Sequence, residues 1–316
     1  MPVQLIPLDD DRFDEWRDAT RARLIRLRQE SGILLGDDAV AEVDAFLTQL
    51  LPAGRATETS SIVRIADGDR ELGTLWMMAA GGILHLVDLA LVEAIEQRIL
   101  DELFDVIATI ARTHAVERLR ISLYSTDVAG RAFVEGRGFD CASIRMLLEP
   151  VPSRGSTTAP LELTRMTEER FAAFAAESEE AFAADLVASG RYSEDEARTE
   201  SRRQMALELP DGLDSAGQEL FTAQVDGTEV GVLWLGIRDR DGEPHVFILD
   251  IEVGAEHRRR GFGRAMMLAT EHEARRVGAG SIGLHVFGFN DGAIRLYEGL
   301  GYRRVEERFH LDLSTQ

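Results

Sequence analysis

Residues 249–265 read LDIEVGAEHRRRGFGRA, and the fold is read outward from this stretch. It lies in an apolar run, residues 246–253, that has the composition of a β-strand. A short turn follows, then Arg258-Arg259-Arg260-Gly261-Phe262-Gly263, and directly afterwards a helical pattern over residues 264–277. Strand, glycine-rich basic turn and helix start together make an anion site. Glycines let the backbone approach a phosphate, and the free N–H groups at a helix N-terminus point at it. Arg258, Arg259, Arg260 and Arg264 strengthen the site, because guanidinium forks match phosphate oxygens. No Gly-Lys-Ser/Thr follows, so this is not a P-loop, and two glycines are too few for the dinucleotide fingerprint.

A second block, residues 290–302, reads NDGAIRLYEGLGY. Asn290 suits an N-cap and Gly301 a C′ residue, while Ala293, Leu296, Tyr297 and Leu300 share one helical face. Strands are predicted on either side, over residues 281–287 and 303–313. Arg-x-x-Gly-x-Gly after a strand, followed by Asn, Tyr and Leu-Gly-Tyr in this order, resembles the GNAT superfamily of acyl-CoA-dependent N-acyltransferases. The resemblance covers the chain directly from about residue 161 onward.

Composition bounds the rest. The chain has 316 residues, enough for about two domains, and 45% of them are apolar. No apolar run approaches a membrane span and the N-terminus does not read as a signal peptide, so the expectation is a cytoplasmic protein with no membrane partner. A net charge of −21 argues against nucleic-acid binding. It suits a cationic acceptor as well as a generally acidic surface. Cys141 is the single cysteine, which excludes an intrachain disulfide and a cysteine-based zinc cluster; no metal is expected. All 35 basic residues are Arg, so Schiff-base lysine chemistry is excluded.

The chain also repeats itself. At an offset of 158, Leu5 falls on Leu163, Phe13 on Phe171, Ser31-Gly32 on Ser189-Gly190, and Trp76 on Trp234. The offset becomes 162 at Val87-Asp88-Leu89, which falls on Leu249-Asp250-Ile251, and 163 where Gly138-Phe139 falls on Gly301-Tyr302. The expected organisation is a tandem duplication: residues 1–150, a Pro/Ser/Thr/Gly linker over 151–160, and residues 161–316. Each half is expected to be a mixed α/β (α+β) fold, a mostly antiparallel mixed sheet flanked by helices. Each opens with a short strand (3–7; 161–165) and a helix pair (10–51; 168–209) broken near Gly32 and Gly190. The first copy lacks the site. Glu96, Ile99 and Asp101 stand where Arg258, Gly261 and Gly263 do, with Glu93 adding a carboxylate, and Asp127 and Val134 replace Asn290 and Tyr297. That half is therefore expected not to bind CoA.

For the second half the resemblance implies attack of an amine on an acetyl thioester, with acetyl-CoA as cosubstrate. Residues 258–264 would grip the pyrophosphate. The backbone of Ile251 and Val253, on a strand splayed from its neighbour, would hold the arm and the thioester carbonyl. Asn290 and Ala293 would contact the arm, and Tyr297 would act as acid toward the leaving thiolate. A carboxylate on the strand would serve as base, Glu252 or else Asp250, ahead of His245 or His285. The acceptor would lie among Glu179, Phe182, Asp185, Tyr192 and Asp211, where acidic and aromatic side chains suit an amine. The function expected is acetyl transfer to a primary amine of a small molecule. Modification of a protein N-terminus or lysine, and a non-catalytic acyl-CoA-binding sensor or scaffold, are the alternatives. A monomer or a homodimer is compatible with the duplication.

Overall fold

The computed structural model describes residues 2–92, 95–154, 161–189 and 192–315; Glu93, Gly190 and linker residues 155–160 lie outside them. The first half runs β1 (Val3–Pro7), α1 (Phe13–Ser31), α2 (Gly36–Leu50), β2 (Ser60–Asp67), β3 (Arg70–Ala80), β4 (Ile83–Leu91), α3 (Gln97–Thr113), β5 (Arg118–Tyr124), α4 (Val128–Val134) and β6 (Asp140–Leu148). The second half repeats the order: β7 (Leu161–Arg165), α5 (Glu168–Ala188), α6 (Glu194–Glu208), β8 (Gln218–Val225), β9 (Thr228–Arg240), β10 (Glu243–Val253), α7 (Phe262–Arg276), β11 (Ser281–Phe287), α8 (Asp291–Gly299) and β12 (Arg303–Asp312). Among the described residues no helix is long and apolar enough to cross a membrane.

Local chemistry explains the elements. Gly32, at φ 76°, stops α1 in the left-handed conformation that a Cβ disfavours. Ser193 and Glu196 form a reciprocal capping box that starts α6. Asp226 and Gly227, both at positive φ, join β8 to β9 in the turn that matches strand twist.

The duplication reaches individual side-chain contacts. Arg12 pairs with Glu71 at 2.9 Å, and Arg170, 158 residues on, pairs with Glu229 at 2.8 Å. Trp76 Nε1 donates to Ser60 Oγ and Trp234 Nε1 to Gln218 Oε1, again one repeat apart. Each tryptophan meets an aromatic ring of the first helix edge-on, Trp16 at 5.5 Å and Phe174 at 6.1 Å.

The compact units do not follow the sequence boundary. One unit contains residues 1–142 and 305–316, the other residues 143–304. In the first unit the strand order is β1-β2-β3-β4-β5-β12, and in the second it is β6-β11-β10-β9-β8-β7. Each sheet is antiparallel except for one parallel pair, β4–β5 or β10–β11. The last strand of each half therefore completes the sheet of the other half. The expected division at residues 150 and 161 is corrected accordingly. β6 and β12 occupy equivalent repeat positions at the end of each half, so the repeat alone cannot assign either strand to its sheet.

Candidate active site

In the second unit, β10 and β11 pair only from His245–Ser281 to Ile248–Leu284. Past that point β11 stays on β6 as far as Phe287, while β10 stays on β9 as far as Val253. A register shift between Ile248 and Asp250 places a bulge at Leu249, and a bulge bends its strand away from the ladder. The strands part into a cleft whose β10 wall is Asp250, Ile251, Glu252 and Val253. The splay expected from the resemblance is present, and the bulge is the local irregularity that opens it.

The cleft leads to the basic turn. Arg259 and Gly261 take left-handed conformations, φ 61° and 85°, and Gly261 caps α7. A Cβ on Gly261 would meet no atom within 4 Å, so backbone conformation and open space, not packing, call for glycine there. A Cβ on Gly263 would stand 3.5 Å from Leu296 and 3.9 Å from Val253. Arg258, Arg259, Arg260 and Arg264 are exposed. Arg258 Nε donates to Val253 O at 3.1 Å and its NH2 lies 3.3 Å from Glu252 Oε1, tying turn to strand. Arg260 lies over the Phe262 ring at 5.1 Å. An open left-handed turn, a helix start and exposed guanidiniums fit the diphosphate of a nucleotide cofactor.

Asn290 caps α8 through Oδ1, which accepts from Ala293 N at 3.2 Å. Its amide NH2 is left for another partner. Tyr297 is buried at 7% exposure, and Ile294, which the helical-face reading omitted, is buried with it. Burial, and secondarily Asp250, push the Tyr297 phenol up to about 12, so the hydroxyl stays protonated at neutral pH.

The carboxylates divide by environment. Asp250 accepts from Ser178 Oγ of α5 at 2.9 Å. Its burial pushes the carboxyl up to about 6; Ser178 opposes this, and Glu252 and Asp185 add to it. Asp185 is raised by burial and by Glu252. Asp185, Asp250 and Glu252 therefore converge from α5 and β10. Glu252 is the most open of the three, with its side chain 52% exposed and held by Arg258.

The remaining acceptor candidates scatter. Phe182 and Tyr192 pack in one apolar cluster with Phe287. Glu179 is turned to α6, where Arg202 meets it at 2.9 Å. Asp211 lies in the turn before β8, its amide bonded to Ser215 Oγ at 3.0 Å, and the structure does not bring it to the carboxylate trio. His245 is buried against Ser281 Oγ at 2.8 Å, and burial lowers its imidazole to about 4; this is a structural histidine. Ser178 escaped the sequence reading, although Thr20, its repeat mate, also carries a hydroxyl.

The first unit shows why its copy lacks the turn. α3 begins at Gln97, ahead of Leu100, the match of α7's first residue Phe262 at an offset of 162. The helix has grown through the positions of the basic turn. Its Ile99 and Leu100 amides already bond to Glu96 O, and Ile99 is buried in the core.

The fold and cleft define an acyltransferase of the kind the two motifs resemble. A model of the acetyltransferase (GNAT) family matches residues 176–302. A relative from Bacillus subtilis (strain 168), named an uncharacterized N-acetyltransferase, YdgE, is 31% identical over 152 residues, 48% of this chain and 97% of that protein. A mycothiol acetyltransferase of Rhodococcus jostii (strain RHA1) is 34% identical over 115 residues, 36% of this chain and 35% of that protein. The solved GCN5-related N-acetyltransferase from Sphaerobacter thermophilus aligns over 98% of this chain and 96% of its own, with a TM-score of 0.52 at 14% identity, a likeness of fold. The chain belongs to the GNAT family of acetyltransferases, and acyl-CoA-dependent acetyl transfer follows from that membership.

Proposed function

We propose that the second unit transfers an acetyl group from acetyl-CoA to a primary amine of a small molecule by direct attack, and that the first unit binds no CoA. The carrying observation is the cleft itself: one splayed strand presents Asp250, Ile251, Glu252 and Val253, with the open basic turn following Val253 and the buried Tyr297 close enough to Asp250 to feel its charge. The turn, residues 258–264, would take the diphosphate. The freed edge of β10, from Ile251 to Val253, would hold the arm and the thioester carbonyl, with Asn290 NH2 and Ala293 flanking it. Holding amine and thioester in one cleft supplies most of the acceleration such a reaction needs.

The proton steps fall to two groups. Asp250 is the better base of the two strand carboxylates, because its raised carboxyl accepts a proton near neutral pH whereas Glu252 is engaged by Arg258. The ammonium gives one proton to Asp250, the amine lone pair attacks the carbonyl carbon, and the C–S bond breaks as the intermediate collapses. Tyr297, protonated at neutral pH, gives its proton to the leaving thiolate and regains one from the attacking nitrogen, which sheds its second proton as the amide forms.

Isothermal titration of acetyl-CoA tests the reading. One site per chain, weakened at least about tenfold by Gly261→Val, is expected, followed by thiol release with amines. Two sites per chain would show that the first unit binds CoA after all, and absence of binding would remove the transferase reading.

A further inference from the structure

The two units treat one cleft position in opposite ways. In the first unit, Arg23 of α1 reaches into the gap between β4 and β5, which pair only from Ile83–Arg118 to Leu86–Ile121. Its guanidinium forms an ion pair with Asp88, donates to Leu89 O at 3.0 Å and meets Asp127 Oδ2 at 3.2 Å. The space that remains, between Leu27, Tyr124 and these groups, is about 20 Å³, enough for a single water. The chain supplies its own cation here.

The second unit keeps the anions and omits the cation. Asp88 is matched by Asp250, and Arg23 by Ala181, an exposed residue of α5. Leu27 and Ala90 are matched by Asp185 and Glu252, so carboxylates replace apolar side chains on both walls. Among the described residues Asp250 and Asp185 have no ion-pair partner, and the ion pair of Arg258 is with Glu252. Asp127 is matched by Asn290, whose NH2 would not hold a cation, which leaves Asp250 as the anchor. Beside Asp185, Phe182 faces Phe287 at 6.3 Å, and Phe287 stacks on the 53% exposed Phe289 at 5.4 Å.

We infer that the ammonium of the acceptor takes, against Asp250 and Asp185, the position that Arg23 fills against Asp88, and that the acceptor is an arylalkyl primary amine with no carboxylate beside its nitrogen. This rests on the transferase reading of the same cleft and narrows its substrate. A carboxylate next to the amine would be set against two unneutralised carboxylates, while the aromatic wall would receive the body of the amine.

The test compares phenethylamine with phenylalanine, which differ by that carboxylate, using thiol release from acetyl-CoA by the full chain. Phenethylamine is expected to have the higher kcat/KM by at least about 100-fold. Asp250→Asn lowers both rates if it removes only a base, but is expected to shrink the ratio at least about tenfold, because the repulsion goes with the charge. Ala181→Arg installs the first unit's plug at an exposed position and is expected to raise the KM for phenethylamine at least about tenfold, with the acetyl-CoA Kd within about twofold. Equal use of the two compounds, no use of phenethylamine, or an unchanged ratio in Asp250→Asn would overturn the inference. Loss of the transferase reading looks different: the wild-type chain would fail to bind acetyl-CoA in the titration.

Discussion

Ser178 Oγ donates a 2.9 Å hydrogen bond to Asp250 Oδ2, joining the first helix of the second unit to the strand that lines its cleft. The bond favours the ionised carboxylate, while burial, Glu252 and Asp185 oppose ionisation. Tyr297, across the cleft, stays protonated throughout. Asp250 must be ionised to take a proton, so kcat/KM is expected to fall as pH drops through about 6. Ser178→Ala removes a stabiliser of the charge and is expected to move that limb to higher pH by about one unit. A pH–rate profile of both proteins checks this, and a limb that stays in place would remove Asp250 from the proton path.

The same carboxylate weakens the fold. Its folded pKa, about 6, lies above the ordinary value of 3.8, so the native state favours the protonated form. The contribution of Asp250 to stability is therefore free of penalty below about pH 4, falls as pH rises, and carries the full penalty above about pH 6. Asp250→Asn has no charge to bury. It is expected to be more stable than wild type at pH 8, by up to about 3 kcal/mol, with the difference closing near pH 4. Thermal melts at the two pH values read this. A destabilising carboxylate at a cleft marks function rather than packing.

Tyr297 packs through its ring and acts through its oxygen. Tyr297→Phe keeps the buried ring against Tyr302, 5.9 Å between centroids, and removes the proton donor. The expected result is a kcat lower by about 10- to 100-fold, with the acetyl-CoA Kd within about twofold. A loss of binding equal to the loss of rate would make the residue a binding group instead.

Much of this was legible in the sequence, because local rules agree with tertiary ones at the motifs. Gly261 and Gly301 sit at positive φ, Asn290 caps its helix, and β7 and β11 have the bounds that their patterns predict. What escaped depends on partners distant in the chain. Ser178 and Asp250 are 72 residues apart, and nothing local to either announces the bond. The preference for Asp250 over Glu252 follows from burial, which two neighbouring carboxylates on one strand do not reveal. In the sequence Arg23 is one helix arginine among several, and only the parting of β4 from β5 gives it a gap to fill.

The assignment of β6 and β12 is the other feature hidden from the sequence, and it can be tested by where a lesion is felt. Leu311 on β12 is 3% exposed and packs in the first unit's core with Leu119, Ile121 and Leu123 of β5. β12 pairs with β5 over Glu306 to Asp312, and Arg131 of α4 forms an ion pair with Glu307. Leu311→Ala leaves a cavity there and is expected to cost about 2–4 kcal/mol. Hydrogen exchange should then quicken in β5 and α3, which share that core, and stay slow in β11 and α8, which belong to the unit of residues 143–304. If β12 instead closed the sheet of its own half, the lesion would loosen β11 and leave β5 protected.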